Sequence, residues 1–243
     1  MSKKIAVILG VGPSAGLGAA ICRRAARHGC HVVVGGRTSE KIEVIADQIR
    51  LGGGSASPVT VDVSEEKQII DLFNQVDVID GQLDFVSYNA GNSFSHDSLT
   101  MTAEFFELAW RVCCFGGFLT GREAGRRLCE FGRGSIIFTG ATASLRSRPP
   151  FMAFAAGKAG LRAVAQAYAR ELGPKGVHVG HLIIDGGIDG ERQHKRNPGI
   201  LEKMGHNGLL KPDSIAESCW HLHQQHPSAW THELDLRPFK EAF

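Results

Sequence analysis

A glycine-rich turn near the start of the chain constrains the fold more than any other feature. The apolar run Ile5–Leu9 precedes it and a helical pattern from Ala19 to His28 follows it; the turn itself reads Gly10-Val11-Gly12-Pro13-Ser14-Ala15-Gly16-Leu17-Gly18. Glycine lacks a Cβ atom, so it permits a tight turn and lets a ligand approach the backbone. A strand, a turn and a helix N-terminus in this order predict a cradle for the phosphates of a dinucleotide. Such turns also occur without any ligand.

Short apolar runs alternate with helical patterns along the rest of the chain. The runs predict strands at Ile5–Leu9, His31–Gly35, Pro58–Val61, Leu83–Ser87, Ser135–Gly140, Val177–Ile184 and Leu234–Leu236. The helical patterns are Ser39–Leu51, a helix after Ser64 as its N-cap, Thr102 to Phe131 with a bend at Gly116-Gly117, Phe151–Leu172, and a helix from Lys211. Because no Pro/Ser-rich linker interrupts this alternation, we expect one α/β domain.

Composition excludes several classes of partner. The formal charge is +2 and the hydrophobic fraction is 43%. The chain therefore lacks the large excess of positive charge that would predict a nucleic acid partner. No apolar run approaches the roughly 20 residues of a membrane span, and no signal-peptide pattern precedes Ile5. The six cysteines lack C-x-x-C spacing, and the histidines from His221 to His232 lack a carboxylate or cysteine at ligand spacing. We therefore expect reduced thiols, a cytoplasmic protein and no metal site.

Several motifs together resemble the short-chain dehydrogenase/reductase family. They are the G-x-x-x-G-x-G spacing of Gly12, Gly16 and Gly18, then Asp62-Val63, Asn89-Ala90-Gly91, Lys158 and Asp185-Gly186, in the family's order and at its usual separations. The resemblance implies a Rossmann-type doubly wound parallel sheet of seven strands, in the order 3-2-1-4-5-6-7, flanked by helices. Residues 1–243 would then form a single domain that binds NAD(P) at the carboxyl ends of the strands.

The resemblance also implies which residues contact the cofactor. Asp62 would bind the adenine amino group, Lys158 the nicotinamide ribose, and the Ile188 backbone the carboxamide. The full implied set is Gly12, Ser14, Gly16, Leu17, Gly18, Arg37, Asp62, Val63, Asn89, Ala90, Gly91, Lys158, Gly186 and Ile188. For two of these residues an alternative without a cofactor contact stays open: Asp62 as a turn residue and Lys158 as a surface lysine.

The end of the second strand predicts which dinucleotide is bound. An acidic residue there accepts hydrogen bonds from the adenine ribose, whereas a nearby arginine accommodates a 2′-phosphate. This chain has Gly36 followed by Arg37. We expect NADP(H) to be favoured over NAD(H), with Ser14 and Arg37 as phosphate partners; the alternative is a solvated arginine.

Three departures from the family pattern affect the predicted chemistry. The positions of the family's catalytic asparagine, serine and tyrosine fall on Cys113, Ala141 and Phe154. Phenylalanine and alanine cannot donate a proton, and a thiol is a weak hydrogen-bonding group. Thr142, one residue beyond Ala141, is expected to point elsewhere because side chains alternate in an extended segment.

The residues left for chemistry are Lys158, Asp185 and Cys113. Asp185 is a new carboxyl group near the expected nicotinamide ring, or else a turn residue. One hypothesis is an NADP(H)-dependent oxidoreductase with an altered active site, which reduces an activated C=C or C=O bond. Its alternative is a catalytically silent NADP-binding sensor or partner subunit. Reduction of C=C demands less of the protein than reduction of C=O.

A long polar stretch and two helices predict the remaining partners. Residues 187–211 are polar and interrupted by Gly and Pro, which is typical of a lid over a substrate pocket. Arg146, Arg148, Arg192, Lys195 and Arg196 would steer an anionic small-molecule substrate, unless they are simply solvated. The helices from Thr102 and Phe151 match the family's dimerisation pair, and the second is rich in Ala and Gly. We expect a homodimer or homotetramer.

Overall fold

All seven strands lie in one sheet with helices on both faces in the structure, a computed structural model that describes residues 3–241. The strands are β1 (Lys4–Leu9), β2 (His31–Gly36), β3 (Ser55–Thr60), β4 (Gln82–Tyr88), β5 (Ser135–Thr139), β6 (His178–Ile184) and β7 (Glu233–Leu236). The helices are α1 (Leu17–Arg27), α2 (Ser39–Leu51), α3 (Glu66–Asp77), α4 (Ala103–Trp110), α5 (Gly116–Phe131), α6 (Met152–Leu172), α7 (Glu191–Arg196), α8 (Ile200–Met204) and α9 (Pro212–Gln224). None of these described helices is long and apolar enough to cross a bilayer.

The strands occur in the order β3-β2-β1-β4-β5-β6-β7, and every neighbouring pair is parallel. This order confirms the predicted Rossmann-type doubly wound sheet. From β1 the chain builds outward through β2 and β3, and it then returns to add β4 to β7 on the other side. A crevice therefore opens at the carboxyl ends of β1 and β4, where the winding reverses.

The core consists of two apolar layers, one on each face of the sheet. Side chains alternate along β1, so Ala6 and Ile8 join the layer under α1, α2 and α9, whereas Ile5, Val7 and Leu9 join the layer under α3, α5 and α6. Both faces are covered by helices, which is why the inner strands are apolar almost throughout. This packing holds the carboxyl ends of the strands in place.

Strand β3 and the start of helix α3 differ from the sequence prediction. Strand β3 begins at Ser55 rather than Pro58, because it pairs with β2 in parallel register and the His31 ring hydrogen-bonds the hydroxyls of Ser55 and Ser57. Helix α3 begins at Glu66, and Ser64 is not its N-cap. The backbone N–H and the hydroxyl of Ser64 instead donate to Oδ1 of Asp62, closing the turn that follows β3.

The predicted long helix from Thr102 is interrupted by one π-helical turn at Arg111–Phe115, which separates α4 from α5. The irregularity therefore precedes Gly116, where the sequence predicted the bend. Gly116 serves packing instead, because a Cβ atom there would lie 2.4 Å from the Tyr88 hydroxyl oxygen. The π turn places Cys113 inside the protein, and such turns are frequent at functional sites.

The predicted lid, residues 187–211, contains the two short helices α7 and α8. Its ends are tied together, since the N–H of Leu210 donates to the carbonyl of Gly187 and the N–H of Asp189 donates to the carbonyl of Leu210. A loop closed at its base in this way can pack as one unit against the neighbouring crevice.

Candidate active site

A cleft of about 600 Å³ opens at the carboxyl ends of β1, β4, β5 and β6, which is within the size range of small-molecule sites. Many of the residues predicted to form the site line it: Gly12, Gly16, Leu17, Gly18, Asn89, Gly91, Lys158, Asp185, Gly186 and Ile188. Ser14, Arg37, Asp62, Val63, Ala90 and Cys113 do not line this cleft. The described chain has no group of three or more His, Cys, Asp or Glu side chains placed to hold a metal ion.

The glycine-rich turn leads directly into the N-terminus of α1. Gly16 is the N-cap residue, no side chain caps the helix, and its first turn carries no acidic residue. The N–H groups of this first turn therefore keep their capacity to bind an anion. Because Gly12 has no side chain, this part of the turn is open toward the cleft. These features fit a dinucleotide diphosphate.

The positions predicted to bind the adenosine half lie beside the turn. The Ser14 hydroxyl donates to Oε1 of Gln48 in α2 at 2.9 Å, and Arg37 is exposed directly after β2. A side chain at Gly36 would lie 2.3 Å from the carbonyl oxygen of Val11. An acidic residue therefore has no room at position 36 unless the backbone moves, whereas the Arg37 side chain beside it is exposed.

The other residues predicted to lie near the adenine have structural roles. Asp62 accepts the two hydrogen bonds from Ser64 that close the turn after β3. This agrees with the alternative in which Asp62 is a turn residue. Val63 is buried in the layer under α3, and Ala90 is buried against the glycine-rich turn, where the N–H of the preceding Asn89 donates to the carbonyl of Leu9. The predicted contacts of these residues with adenine stay predictions.

Lys158 is buried at the cleft wall, with only 4% of its surface exposed. Its ammonium donates to the carbonyl of Thr139 at 2.6 Å, and no carboxylate of the described residues pairs with it. Burial lowers the pKa of Lys158. The alternative prediction, that Lys158 is a surface lysine, is wrong. A buried ammonium without a counter-ion is costly, and a polar ligand in the cleft would offset that cost.

Cys113 lies close to this lysine but is closed off from the cleft. A Cβ atom at Gly91 would lie 3.3 Å from Nζ of Lys158 and 3.8 Å from Sγ of Cys113. The thiol is fully buried, and burial raises the pKa of Cys113 despite the neighbouring ammonium. Cys113 is therefore a neutral thiol that does not line the cleft.

Asp185 is held by two side chains from other parts of the chain. The hydroxyl of Thr142 donates to one carboxylate oxygen, and the guanidinium of Arg237 pairs with the other at 3.1 Å. Thr142 lines the cleft, so the expectation that it points elsewhere is wrong. The chain leaves the extended conformation after Ala141 and forms a 3₁₀ turn, to which the alternation of a strand does not apply.

The positions that would carry the family's hydroxyl groups both face the cleft without one. Ala141 and Phe154 line it, and Nζ of Lys158 lies 6.0 Å from the centre of the Phe154 ring. Neither tyrosine replaces the missing acid: Tyr88 is buried and donates to the carbonyl of Val112, and Tyr168 donates to the carbonyl of Phe118. Ala141 and Phe154 therefore bring no hydroxyl group into the cleft wall that holds Lys158.

The cationic side chains predicted to steer a substrate separate into distinct groups. Arg146 and Arg148 line one wall of the cleft and form no side-chain hydrogen bond or ion pair with residues 3–241. Arg192 and Arg196, on the predicted lid, also line the cleft, and they donate to the carbonyl of Gly91 and the hydroxyl of Ser93, respectively. Lys195 does not line the cleft, and it pairs with Glu191 on the surface.

Comparison with known proteins places this site in a family. The sequence model described as short chain dehydrogenase matches residues 4–200. The chain is 32% identical over 186 residues to the NADPH-dependent 1-acyldihydroxyacetone phosphate reductase of Saccharomyces cerevisiae. That match covers 76% of this chain and 61% of the yeast protein, so the chain spans less than two thirds of this relative's length.

Solved structures agree over nearly the full chain. A short-chain dehydrogenase from Rhodopseudomonas palustris is 36% identical, with a TM-score of 0.82 and coverage of 98% of this chain and 99% of that one. An alcohol dehydrogenase from the archaeon Thermococcus sibiricus, complexed with 5-hydroxy-NADP, is 27% identical, with a TM-score of 0.87 and coverage of 99% and 98%. Sequence and fold therefore lead to one conclusion: the chain belongs to the short-chain dehydrogenase/reductase family.

Proposed function

We propose that the protein is an NADP(H)-dependent oxidoreductase that reduces an activated C=C bond in an anionic small molecule. The observation that carries the proposal is Lys158, a buried ammonium at the cleft wall that no carboxylate of the described residues neutralises. A cofactor ribose and a substrate oxygen would supply the partners that this group lacks.

The preference for NADP(H) over NAD(H) rests on the end of β2. Arg37 is exposed there, and the carbonyl of Val11 leaves no room for an acidic side chain at Gly36. A cation without a neighbouring carboxylate favours a 2′-phosphate. The yeast relative is named NADPH-dependent, and the archaeal neighbour was solved with 5-hydroxy-NADP, which agrees with this preference.

The missing hydroxyl groups favour reduction of C=C over C=O. When bound, the nicotinamide supplies the hydride. Reducing a ketone develops alkoxide charge that needs a preorganised proton donor, and Ala141 and Phe154 cannot be one. In an α,β-unsaturated carbonyl compound, the hydride adds to the β carbon, and a proton from water adds to the α carbon. Lys158 would stabilise the negative charge on the carbonyl oxygen. Asp185, which pairs with Arg237, would help to position the nicotinamide ring.

The anionic character of the substrate rests on Arg146 and Arg148. Both lie on the cleft wall after β5, and within the described chain neither is paired with a carboxylate. Two unpaired cations at the mouth of a cleft attract an anion such as the phosphates of an acyl-CoA.

NADPH oxidation measured with enoyl-CoA, dienoyl-CoA and small ketone substrates tests the function. We expect turnover with the unsaturated thioesters and little with the ketones. The competing hypothesis, a silent NADP-binding sensor, has one feature in its favour, the loss of both hydroxyl groups. Tight NADPH binding without turnover on any of the three classes would establish the sensor instead.

Arg37→Asp is expected to weaken NADPH binding by about tenfold or more, because it replaces an attraction to the 2′-phosphate by a repulsion. NADH lacks that phosphate, so its affinity should change little. Fluorescence titration of both cofactors measures the effect. Equal affinity of the unaltered protein for NADPH and NADH would contradict the NADP assignment.

We propose further that the protein is a homodimer or homotetramer assembled through α4, α5 and α6. Large apolar side chains are exposed on the first two of these helices, including Phe106, Trp110 and Phe118. Burial of such side chains in a subunit interface is favourable. Light scattering at micromolar concentration should give twice or four times the monomer mass, and a monomer would contradict the proposal. Cytoplasmic localisation stays a prediction.

A further inference from the structure

Arg192 lies in the gap between the glycine-rich turn and the loop after β4. Its guanidinium donates to the carbonyl of Gly91 at 3.2 Å, and one of its terminal nitrogens is 3.5 Å from where a Cβ atom of Gly12 would lie. Arg192 lies on α7, and this helix begins beside the glycine-rich turn, since a Cβ atom at its N-cap Gly190 would be 3.5 Å from the carbonyl of Ala15. The lid thus carries a cation to the open face of the turn.

The charges around Arg192 leave it available for an anion. Its sequence neighbour Glu191 pairs with Lys195, and among the described residues no carboxylate forms an ion pair with Arg192. The start of α1 lines the same cleft as Arg192, and its first turn has N–H groups without a capping side chain and no acidic residue. A guanidinium and a helix N-terminus that converge on one gap are complementary to the oxygens of a diphosphate.

We propose that Arg192 binds the diphosphate of the dinucleotide and so joins the lid to the cofactor. This inference rests on the proposed function, since it requires that a dinucleotide occupies the turn. It also separates the lid's Arg192 from Arg146 and Arg148: the first recognises the cofactor, and the other two face the substrate end of the cleft. Arg192 would contact a group shared by NADPH and NADH, whereas Arg37 would contact a group that only NADPH carries.

Fluorescence titrations of NADPH and NADH against four proteins test the assignment: the unaltered chain, Arg192→Gln, Arg37→Gln and Lys195→Gln. We expect Arg192→Gln to lower the affinity for NADPH and the affinity for NADH by the same factor, about tenfold. Arg37→Gln should weaken NADPH alone, and the neighbouring lid variant Lys195→Gln should change neither. Arg192→Lys should fall between Gln and the unaltered chain, and thermal melting checks that each variant is folded.

Competition with ADP-ribose locates the contact, because this probe carries the diphosphate and lacks the nicotinamide. Its affinity should fall with Arg192→Gln as much as that of NADH. If a folded Arg192→Gln variant binds both cofactors normally, or loses NADH but not ADP-ribose, the inference about Arg192 is wrong and the proposed function stands. If the unaltered chain binds neither dinucleotide, both are wrong.

Discussion

Ala141→Ser combined with Phe154→Tyr is expected to raise NADPH-dependent reduction of small ketones by about a hundredfold, the usual contribution of a positioned acid. Both positions line the cleft, and Phe154 lies one helical turn before Lys158 on α6. A tyrosine there would present its hydroxyl group to the cleft next to an ammonium that favours its ionised form. The serine would add a second donor for the developing alkoxide.

The single variants are the controls for this double variant. Because the two hydroxyl groups act on the same oxygen, Ala141→Ser alone should remain close to the unaltered chain, and Phe154→Tyr alone should recover part of the gain. Steady-state rates of NADPH oxidation with one ketone series measure all four proteins. No gain in a folded double variant that still binds NADPH would show that the cleft no longer holds a ketone at these positions.

Lys158→Met is expected to have opposite effects on stability and on function. It removes a buried ammonium that no carboxylate of the described chain neutralises, so the free energy of unfolding should rise by about 1 kcal/mol or more. For a chain of this length that gain corresponds to a Tm increase of about 2–4 °C. The affinity for NADPH should fall about tenfold, because the hydrogen bonds of a charged donor to the ribose are lost.

Turnover with the unsaturated substrate should fall further, by about a hundredfold, since the same ammonium stabilises charge on the carbonyl oxygen. Lys67→Met is a matched control: Lys67 forms an exposed pair with Asp71 on α3, so the substitution should change neither Tm nor cofactor affinity measurably. A Lys158→Met variant that is less stable than the unaltered chain and binds NADPH normally would assign the lysine a purely structural role.

Local patterns predicted most elements because a helix and a strand differ in the period of their apolar residues. Helix α2 has the predicted bounds, and the strand order is the one that the family resemblance implied. The errors lie where a partner overrides the local pattern. Strand β3 starts among small polar residues because β2 supplies its hydrogen bonds, and Ser64 does not cap α3 because Asp62 binds it first.

The sequence by itself determined the alternation of strands and helices, the position of the glycine-rich turn before α1, and the identity of the side chains at Cys113, Ala141 and Phe154. These follow from residue type and spacing along the chain, which can be read without coordinates. The family resemblance then indicated which positions matter, and it therefore predicted what the cleft lacks.

Only the tertiary structure decided which side chains meet in the cleft. Arg192 reaches the carbonyl of Gly91 across 101 positions of sequence, and Thr142 reaches Asp185 across 43. No periodicity encodes such contacts, because they depend on how the crossovers bring the strand ends together. The same packing buries Lys158, closes Cys113 off from the cleft and leaves position 36 without room for an acid, since each of these depends on neighbours remote in sequence.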